Sequence, residues 1–494
     1  MALIAPLYLA HAPAYDLLII GGGSAGLTAA KFATTFGKSV AIVEKARMGG
    51  DCTWTGCVPS KTLLAIAKQV HGVRTACECE YLTMPNPSEV KVDMKAVKAK
   101  VSATIHKIYE EDDSPAALKK QGIDTIVGAA SFVDKSTLSI TQPDGAITVS
   151  ARKGIIIATG ASAARPPIAG LADVPFITYE EIFELDALPR RMTVVGGGPI
   201  GCELAQAFSR LGAEVTLVAP RLLPNEEAEA GEVMARVFEK EGIRVVRGRA
   251  ASVAAAAGGH ALAVTTEGGE VRVEGDTLLV ATGRKPVVSG MNLEAIGVKL
   301  APKGGIQVDP KLHTSCSGVY AAGDCTGDQQ FTHYAGFQGA IAARNILLPL
   351  SDPGVKTGEV PACTFTSPEV AHIGMSEAAA VASFGAASVS TAVRQLRDMD
   401  RAICEGYADG FVKIVYKPAD GSILGATIVA PVAGEMISEI AVAMAGNQKF
   451  TALASVMHPY PSYSMSIQTL AAGVYYDQLK GKAKVYSLLK RLGL

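Results

Sequence analysis

The chain has 494 residues, 49% of them apolar and 19% charged. That profile excludes a disordered or fibrous protein and is too long for one hydrophobic core, so about three domains of roughly 150 residues are expected. A formal net charge of −1 gives no electrostatic reason to expect nucleic acid or an anionic membrane as a partner. Nine cysteines in so long a chain exclude a disulfide-scaffolded secreted module and fit a reducing, cytoplasmic setting. The first fourteen residues, MALIAPLYLAHAPA, are apolar but lack the Lys or Arg of a secretory or transit signal. They read as a short leader to the first strand. No apolar run approaches the about 20 residues that a membrane span needs.

One pattern then occurs twice. Tyr15-Asp-Leu-Leu-Ile-Ile predicts a strand, Gly21-Gly-Gly23-Ser-Ala-Gly26 a turn, the Ala-rich stretch after it a helix, and Ser39 to Glu44 a second strand. Met192-Thr-Val-Val, Gly196-Gly-Gly198-Pro-Ile-Gly201, a helix through Leu211 and the strand Glu214 to Ala219 repeat that order. The first glycine stands 23 positions before the strand-end residue in both copies (44 − 21 and 219 − 196). The spacing suits dinucleotide binding. The first glycine permits the turn, the second lets backbone approach a pyrophosphate, and the third lets helix pack on strand. Glu44 can accept hydrogen bonds from ribose hydroxyls, as for the adenosine of FAD or NAD. Ala219 cannot, and Arg221 two residues on suits a 2′-phosphate, which favours NADPH over NADH.

Between the copies lies Gly49-Gly-Asp-Cys52-Thr-Trp-Thr-Gly-Cys57-Val-Pro-Ser-Lys61. Pro59 reads as the first residue of a helix, placing Cys57 just before the N-terminus, where the dipole favours a thiolate. The four intervening residues let the chain loop back so that the two sulfurs can bond. Lys61 lies one turn after Cys57 on nearly the same helical face. No Cys/His pair at zinc spacing follows, so no metal site is expected. Cys77 and Cys79 read as ordinary thiols in a connector, and Cys202, Cys316, Cys325, Cys363 and Cys404 show no partner pattern. Residues 92–110 predict a long packing helix with Val97, Val101, Ile105 and Ile108 on one face. Val485, Leu488, Leu489 and Leu492 form a small stripe on a solvated terminal helix.

From about Tyr15 to Gln468 the chain resembles the class I pyridine nucleotide–disulfide oxidoreductases, which include dihydrolipoamide dehydrogenase, glutathione reductase and mercuric reductase. Cys-x4-Cys-Val-Pro-Ser-Lys is the most specific motif. Ile155-Ile-Ile-Ala-Thr-Gly160 and Leu278-Leu-Val-Ala-Thr-Gly283-Arg284-Lys-Pro286 resemble the two crossings between domains. Val319-Tyr-Ala-Ala-Gly-Asp324 resembles the second FAD contact, Glu203 the glutamate that pairs with the lysine beside the flavin (here Lys61), and Phe365 to Gly374 the opening of the dimerisation domain.

The resemblance implies two Rossmann-like domains and an α+β dimerisation domain: FAD at 14–160 and 282–355, NAD(P) at 161–281, dimerisation at 356–494. It implies a homodimer in which electrons pass from nicotinamide to FAD, to a Cys52–Cys57 disulfide, and on to a small-molecule disulfide or a metal ion. His458 is implied to serve as acid–base at the partner subunit's disulfide. Asp398-Met-Asp-Arg-Ala-Ile-Cys-Glu-Gly and Phe331-Thr-His-Tyr-Ala favour the mercuric reductase-like branch. Four departures leave the substrate open. The C-terminal segment carries no cysteine pair and no metal-binding module precedes the first strand. Tyr463 stands five residues after His458, where the family has Glu. Trp54 stands in the cysteine loop, where better-known members have Asn. Gly201 is often Ala in related NADPH users. The alternatives are dihydrolipoamide dehydrogenase and a non-enzymatic flavoprotein, against which Cys52 and Cys57 argue.

Overall fold

The computed structural model describes residues 13–76, 86, 89–356 and 358–491, with the backbone alone for 482–491. Cys77, Cys79, most of the apolar leader and the side chains of the terminal stripe lie outside the described residues. The chain divides into two compact units, one of residues 1–62, 95–164 and 283–355, the other of 63–94, 165–282 and 356–494.

The first unit is built on the strand Ala14–Ile20, whose residues Leu17 to Ile20 are buried on both faces, as in the middle of a parallel sheet. It pairs in parallel with Val40–Glu44 on one side and with Gly145–Ile157 on the other. Ile123–Val127 and Val319–Ala321 extend the same parallel layer. The strand Gly145–Ile157 is long enough to serve twice, because its N-terminal half also pairs antiparallel with Thr137–Gln142. The helices Ser24–Thr35 and Thr332–Leu347 cross in backbone contact, since a Cβ on Gly339 would lie 2.0 Å from the Ala25 carbonyl oxygen. The predicted 92–110 helix is Met94–Ile108, with Val97, Val101 and Ile105 buried and Ile108 partly so. A single π-helical turn, Tyr109–Asp113, follows before Ser114 caps the helix that Pro115 opens.

The second unit repeats the parallel motif with the strands Arg244–Arg247, Glu214–Ala219, Arg191–Val195 and Thr277–Val280 in that order. An antiparallel sheet of Arg249–Ala256, Gly259–Thr266 and Gly269–Gly275 accompanies it. The same unit holds a five-stranded antiparallel sheet from Ala362–Thr364 to Ile423–Ala430. The helix Ala433–Ala445 buries Ala433, Met436, Ile437, Ile440 and Ala443 at helical spacing in the core on that sheet. Buried Gln206 ties the two halves, donating to the Ser367 carbonyl at 2.8 Å and accepting its N–H at 2.7 Å. The architecture is the expected α/β fold of two Rossmann-like layers with an α+β domain.

Candidate cofactor and dithiol site

Both glycine turns meet the same steric demands. In the first unit, a Cβ on Gly21 would sit 2.2 Å from the Ala158 carbonyl oxygen and one on Gly26 2.0 Å from that of Gly21. In the second, Gly196 and Gly201 meet the carbonyl oxygens of Ala281 and Gly196 at 2.2 and 1.9 Å. The middle glycines differ: a Cβ on Gly23 meets nothing closer than Gly50 Cα at 3.7 Å, and one on Gly198 meets nothing within 4 Å. The outer glycines are therefore required by the protein's own backbone, whereas the middle ones line space that a pyrophosphate can fill at the helix N-termini. The 1.9 Å approach also gives Gly201 a reason that has nothing to do with cofactor choice.

The strand-end residues stand where the spacing placed them. Glu44 accepts from the backbone N–H groups of Gly22 and Ala46, each at 2.8 Å, which fixes its carboxylate beside the turn and leaves lone pairs for ribose hydroxyls. Ala219 is buried and offers no acceptor, and Arg221 donates to the Glu226 carbonyl oxygen at 2.8 Å. Gly160 and Gly283 adopt positive φ next to a two-stranded ribbon in which Ala161–Ala163 pairs with Arg284–Pro286.

The second expected FAD contact, Asp324, is half-buried. Burial pushes the Asp324 carboxyl up, and the Arg284 guanidinium opposes it. Arg284 donates to both Asp324 and Asp51, so one cation joins this aspartate to the residue before Cys52. Nearby, Gln338 accepts from Gly323 N–H at 2.8 Å, while its buried Nε2 has no partner among the described residues. An orphaned donor, an oriented acceptor at Glu44 and an open middle glycine together fit FAD on this unit.

Cys52 lies in the short helix Gly50–Trp54, and Cys57 is the first residue of the helix Cys57–Ala76. The helix thus begins two residues before Pro59, with Ser60 N–H bonding the Gly56 carbonyl at 3.0 Å; Pro59 is harmless in the first turn because its missing N–H has no partner there. The two thiols interact directly. A hydrogen bond with Cys57, burial and the Cys57 charge push the Cys52 thiol well above its ordinary range, opposed by the Thr332 hydroxyl. The pair therefore favours one negative charge rather than two. Cys57 Sγ is 3.1 Å from Thr332 Oγ1. Trp54 has its own role in the loop, donating to the Met48 carbonyl at 2.7 Å under the Arg47 guanidinium, 4.0 Å from the ring centroid. Lys61 follows on the same helix in the first unit, whereas Glu203, which accepts from Phe365 N–H at 2.8 Å, belongs to the second. The buried Cys202 and Cys325 are pushed up to about 12 and about 11 by burial, which makes them inert.

His458, in the second unit, has Nε2 2.9 Å from Glu439 Oε1 and Nδ1 2.9 Å from the Val456 carbonyl oxygen. Tyr463, at the position where the family has Glu, is bonded elsewhere. Its hydroxyl donates to Glu405 at 2.7 Å, and burial with that carboxylate pushes the phenol up. Arg284, Thr332 and Glu439 are the site residues that the sequence reading missed. Arg284 and Thr332 stood inside motifs noted only for likeness, and nothing local to the His458 segment marks Glu439.

Residues 15–339 match the pyridine nucleotide-disulphide oxidoreductase family, and residues 360–471 match that family's dimerisation domain. The chain is 36% identical to a mercuric reductase of Shigella flexneri, over 94% of this chain and 82% of that one. It is 32% identical to a dihydrolipoyl dehydrogenase of Chlorobaculum tepidum, over 92% and 96%. Among solved structures it is similar to LpdA from Mycobacterium tuberculosis (31% identity, TM-score 0.83, 94% and 99% covered). It is also similar to the HOCl-induced flavoprotein disulfide reductase RclA from Escherichia coli (26%, TM-score 0.80, 93% and 99%). Among the described residues no helix is long and apolar enough to cross a membrane, and no cluster of His, Cys, Asp and Glu could hold a metal ion.

Proposed function

Because this chain belongs to the pyridine nucleotide–disulphide oxidoreductases, FAD-dependent enzymes with a redox-active disulfide, we propose that it is an NADPH-driven reductase of small-molecule disulfides. The observation that carries this reading is the direct interaction of Cys52 and Cys57 at a helix N-terminus, on a unit with a dinucleotide cradle. The domain limits are proposed as 14–160 with 282–355 for FAD, 161–281 for NAD(P) and 356–494 for dimerisation.

FAD, when bound, supplies the two-electron relay between nicotinamide and sulfur. Gly21, Gly23, Gly26, Glu44, Gly160, Gly283 and Asp324 would hold it, Lys61 paired with Glu203 would place a charge beside it, and Gly196, Gly198, Gly201 and Arg221 would hold the nicotinamide cofactor. With the pair reduced, His458 of the partner subunit takes the Cys52 proton, the Cys52 thiolate attacks one substrate sulfur and breaks the S–S bond, and the leaving thiolate takes that proton back from His458 of the partner subunit. The Cys57 thiolate then attacks Cys52, restoring the Cys52–Cys57 disulfide and expelling the second substrate thiolate, which takes its proton from solvent. One disulfide and two electrons with two protons give two thiols. Steady-state turnover with NADPH and NADH against oxidised lipoamide, oxidised glutathione and mercuric ion tests the reading. Exclusive turnover of mercuric ion would replace the disulfide by a metal-ion substrate, and reduction of NAD⁺ by dihydrolipoamide as the dominant activity would make the chain a dihydrolipoamide dehydrogenase.

The nicotinamide preference is expected to be modest. Arg221 can pair with a 2′-phosphate, but its charge already acts on Glu229 and Glu232, which a phosphate would also meet. We expect kcat/KM to favour NADPH by about tenfold, the worth of one charge-assisted contact. Ala219→Glu is expected to reverse the preference, because Glu44 shows how a carboxylate there is held by the turn's own N–H. Arg221→Ala should weaken NADPH and leave NADH unchanged; equal losses would make Arg221 a surface charge.

If the active site is shared across a homodimer, mixing inactive Cys52→Ser and His458→Ala subunits should restore up to about a quarter of the activity per site as heterodimers form by random exchange. Full turnover by a dilute monomer would contradict the shared site.

A further inference from the structure

We propose that Glu439 is the positioning residue for His458, supplying from a neighbouring helix the carboxylate that Tyr463 does not. The assignment rests on the reading of His458 as the proton donor to the leaving thiolate. Three observations carry it. First, Glu439 Oε1 lies 2.9 Å from His458 Nε2, and His458 is nearly enclosed, with 7% of its side chain exposed. Second, His458 Nδ1 lies 2.9 Å from the Val456 carbonyl oxygen, which can only accept. A carbonyl oxygen against one nitrogen and a carboxylate against the other fix the ring in one orientation. Third, the residue whose sequence position suggests the orienting role is engaged elsewhere. Buried Tyr463 donates to Glu405, which also pairs with Arg401. Tyr460 likewise donates to Asp400, at 2.9 Å. The two phenols fasten the His458 turn to the helix Asp400–Cys404 and to Glu405 at its C-terminal cap, and Glu439 contacts the ring itself. Helix Ala433–Ala445 is in turn a rigid mount, because the neighbouring positions Met436, Ile437, Ile440 and Ala443 are packed in the core.

The test compares two kinds of disulfide on the FAD-loaded enzyme. Dialkyl disulfides, oxidised glutathione or oxidised lipoamide, release a basic thiolate that needs a proton. 5,5′-Dithiobis(2-nitrobenzoate) releases an acidic aromatic thiol that departs as the anion. Glu439→Gln, which keeps the size but loses the charge, should lower dialkyl disulfide turnover by about tenfold or more and leave the aromatic disulfide within about twofold. Glu439→Asp should recover part of the loss, and Glu439→Gln added to His458→Ala should cost nothing further, because the two side chains act as one unit. Equal losses with both disulfides would make Glu439 a structural residue and overturn the assignment. Unchanged dialkyl turnover in Glu439→Gln, with His458→Ala impaired, would overturn it while leaving the role of His458 intact. An unimpaired His458→Ala enzyme, or no dialkyl turnover by the unaltered protein, would remove the parent reading and the assignment with it.

Discussion

Replacing either Cys52 or Cys57 by serine is expected to lower disulfide turnover by roughly a thousandfold or more, the usual cost of removing a nucleophile that acts within a unit. The two losses should have different origins. Cys52→Ser removes the sulfur that attacks the substrate. Cys57→Ser leaves an attacking thiol but removes the one that resolves the mixed disulfide, so a single substrate half should remain covalently attached to Cys52 and be detectable by mass. Transfer from NADPH to ferricyanide, which needs the flavin but no sulfur, should stay within about threefold in both variants. Loss of the ferricyanide reaction would mean that the substitutions had damaged the cofactor site, and persistence of disulfide turnover would remove the dithiol from the mechanism.

The second large effect separates glycines that the protein needs from glycines that its ligands need. Gly201→Ala would place a methyl group 1.9 Å from the Gly196 carbonyl oxygen, and Gly26→Ala one 2.0 Å from that of Gly21. Both contacts are with backbone that cannot rotate away, so a loss of about 3 kcal/mol or more and poor recovery of folded protein are expected. Gly198→Ala meets nothing within 4 Å, and Gly198 has φ of −76°, which any residue adopts. Its melting temperature should equal that of the parent, while KM for the nicotinamide cofactor should rise by about tenfold or more, because the methyl group occupies the pyrophosphate space. Gly23→Ala should behave likewise toward FAD: a stable apoprotein with weakened flavin retention. A destabilised Gly198→Ala with unchanged KM would reverse this division of labour.

The same division explains what could be read from the sequence. The glycine turns are local steric problems, so their spacing alone placed the ends of two strands at Glu44 and Ala219 and the end of a helix at Leu211. The helix start at Cys57 rather than Pro59 is a local detail that proline tolerance in the first turn leaves open. What was not legible depends on residues far apart in the chain. Arg284 clasps Asp324 from 40 positions away and Asp51 from 233. Glu439 reaches His458 across 19 positions from a different element, and a sequence reader can only look for a partner within the histidine's own motif. A missing motif residue, such as the Glu that Tyr463 replaces, reports a vacancy in the pattern and says nothing of the side chain that fills its place in space.

The parallel layer of the first unit carries a consequence for how the chain is made. Its strand Val319–Ala321 adds beside Ile155–Ile157, and the paired residues Ile155 and Val319 are separated by 319 − 155 = 164 positions. On the ribosome, at about 5 to 20 residues per second, that interval lasts roughly 10 to 30 s. For that time the nascent sheet exposes the unpaired N–H and C=O groups of its Ile155–Ile157 segment, an edge on which another nascent chain could pair. The intervening residues 165–282 belong to the other unit and supply no strand to this layer. Chaperone dependence during synthesis should therefore concentrate between the emergence of Ile157 and that of Ala321, before the last strand closes the layer.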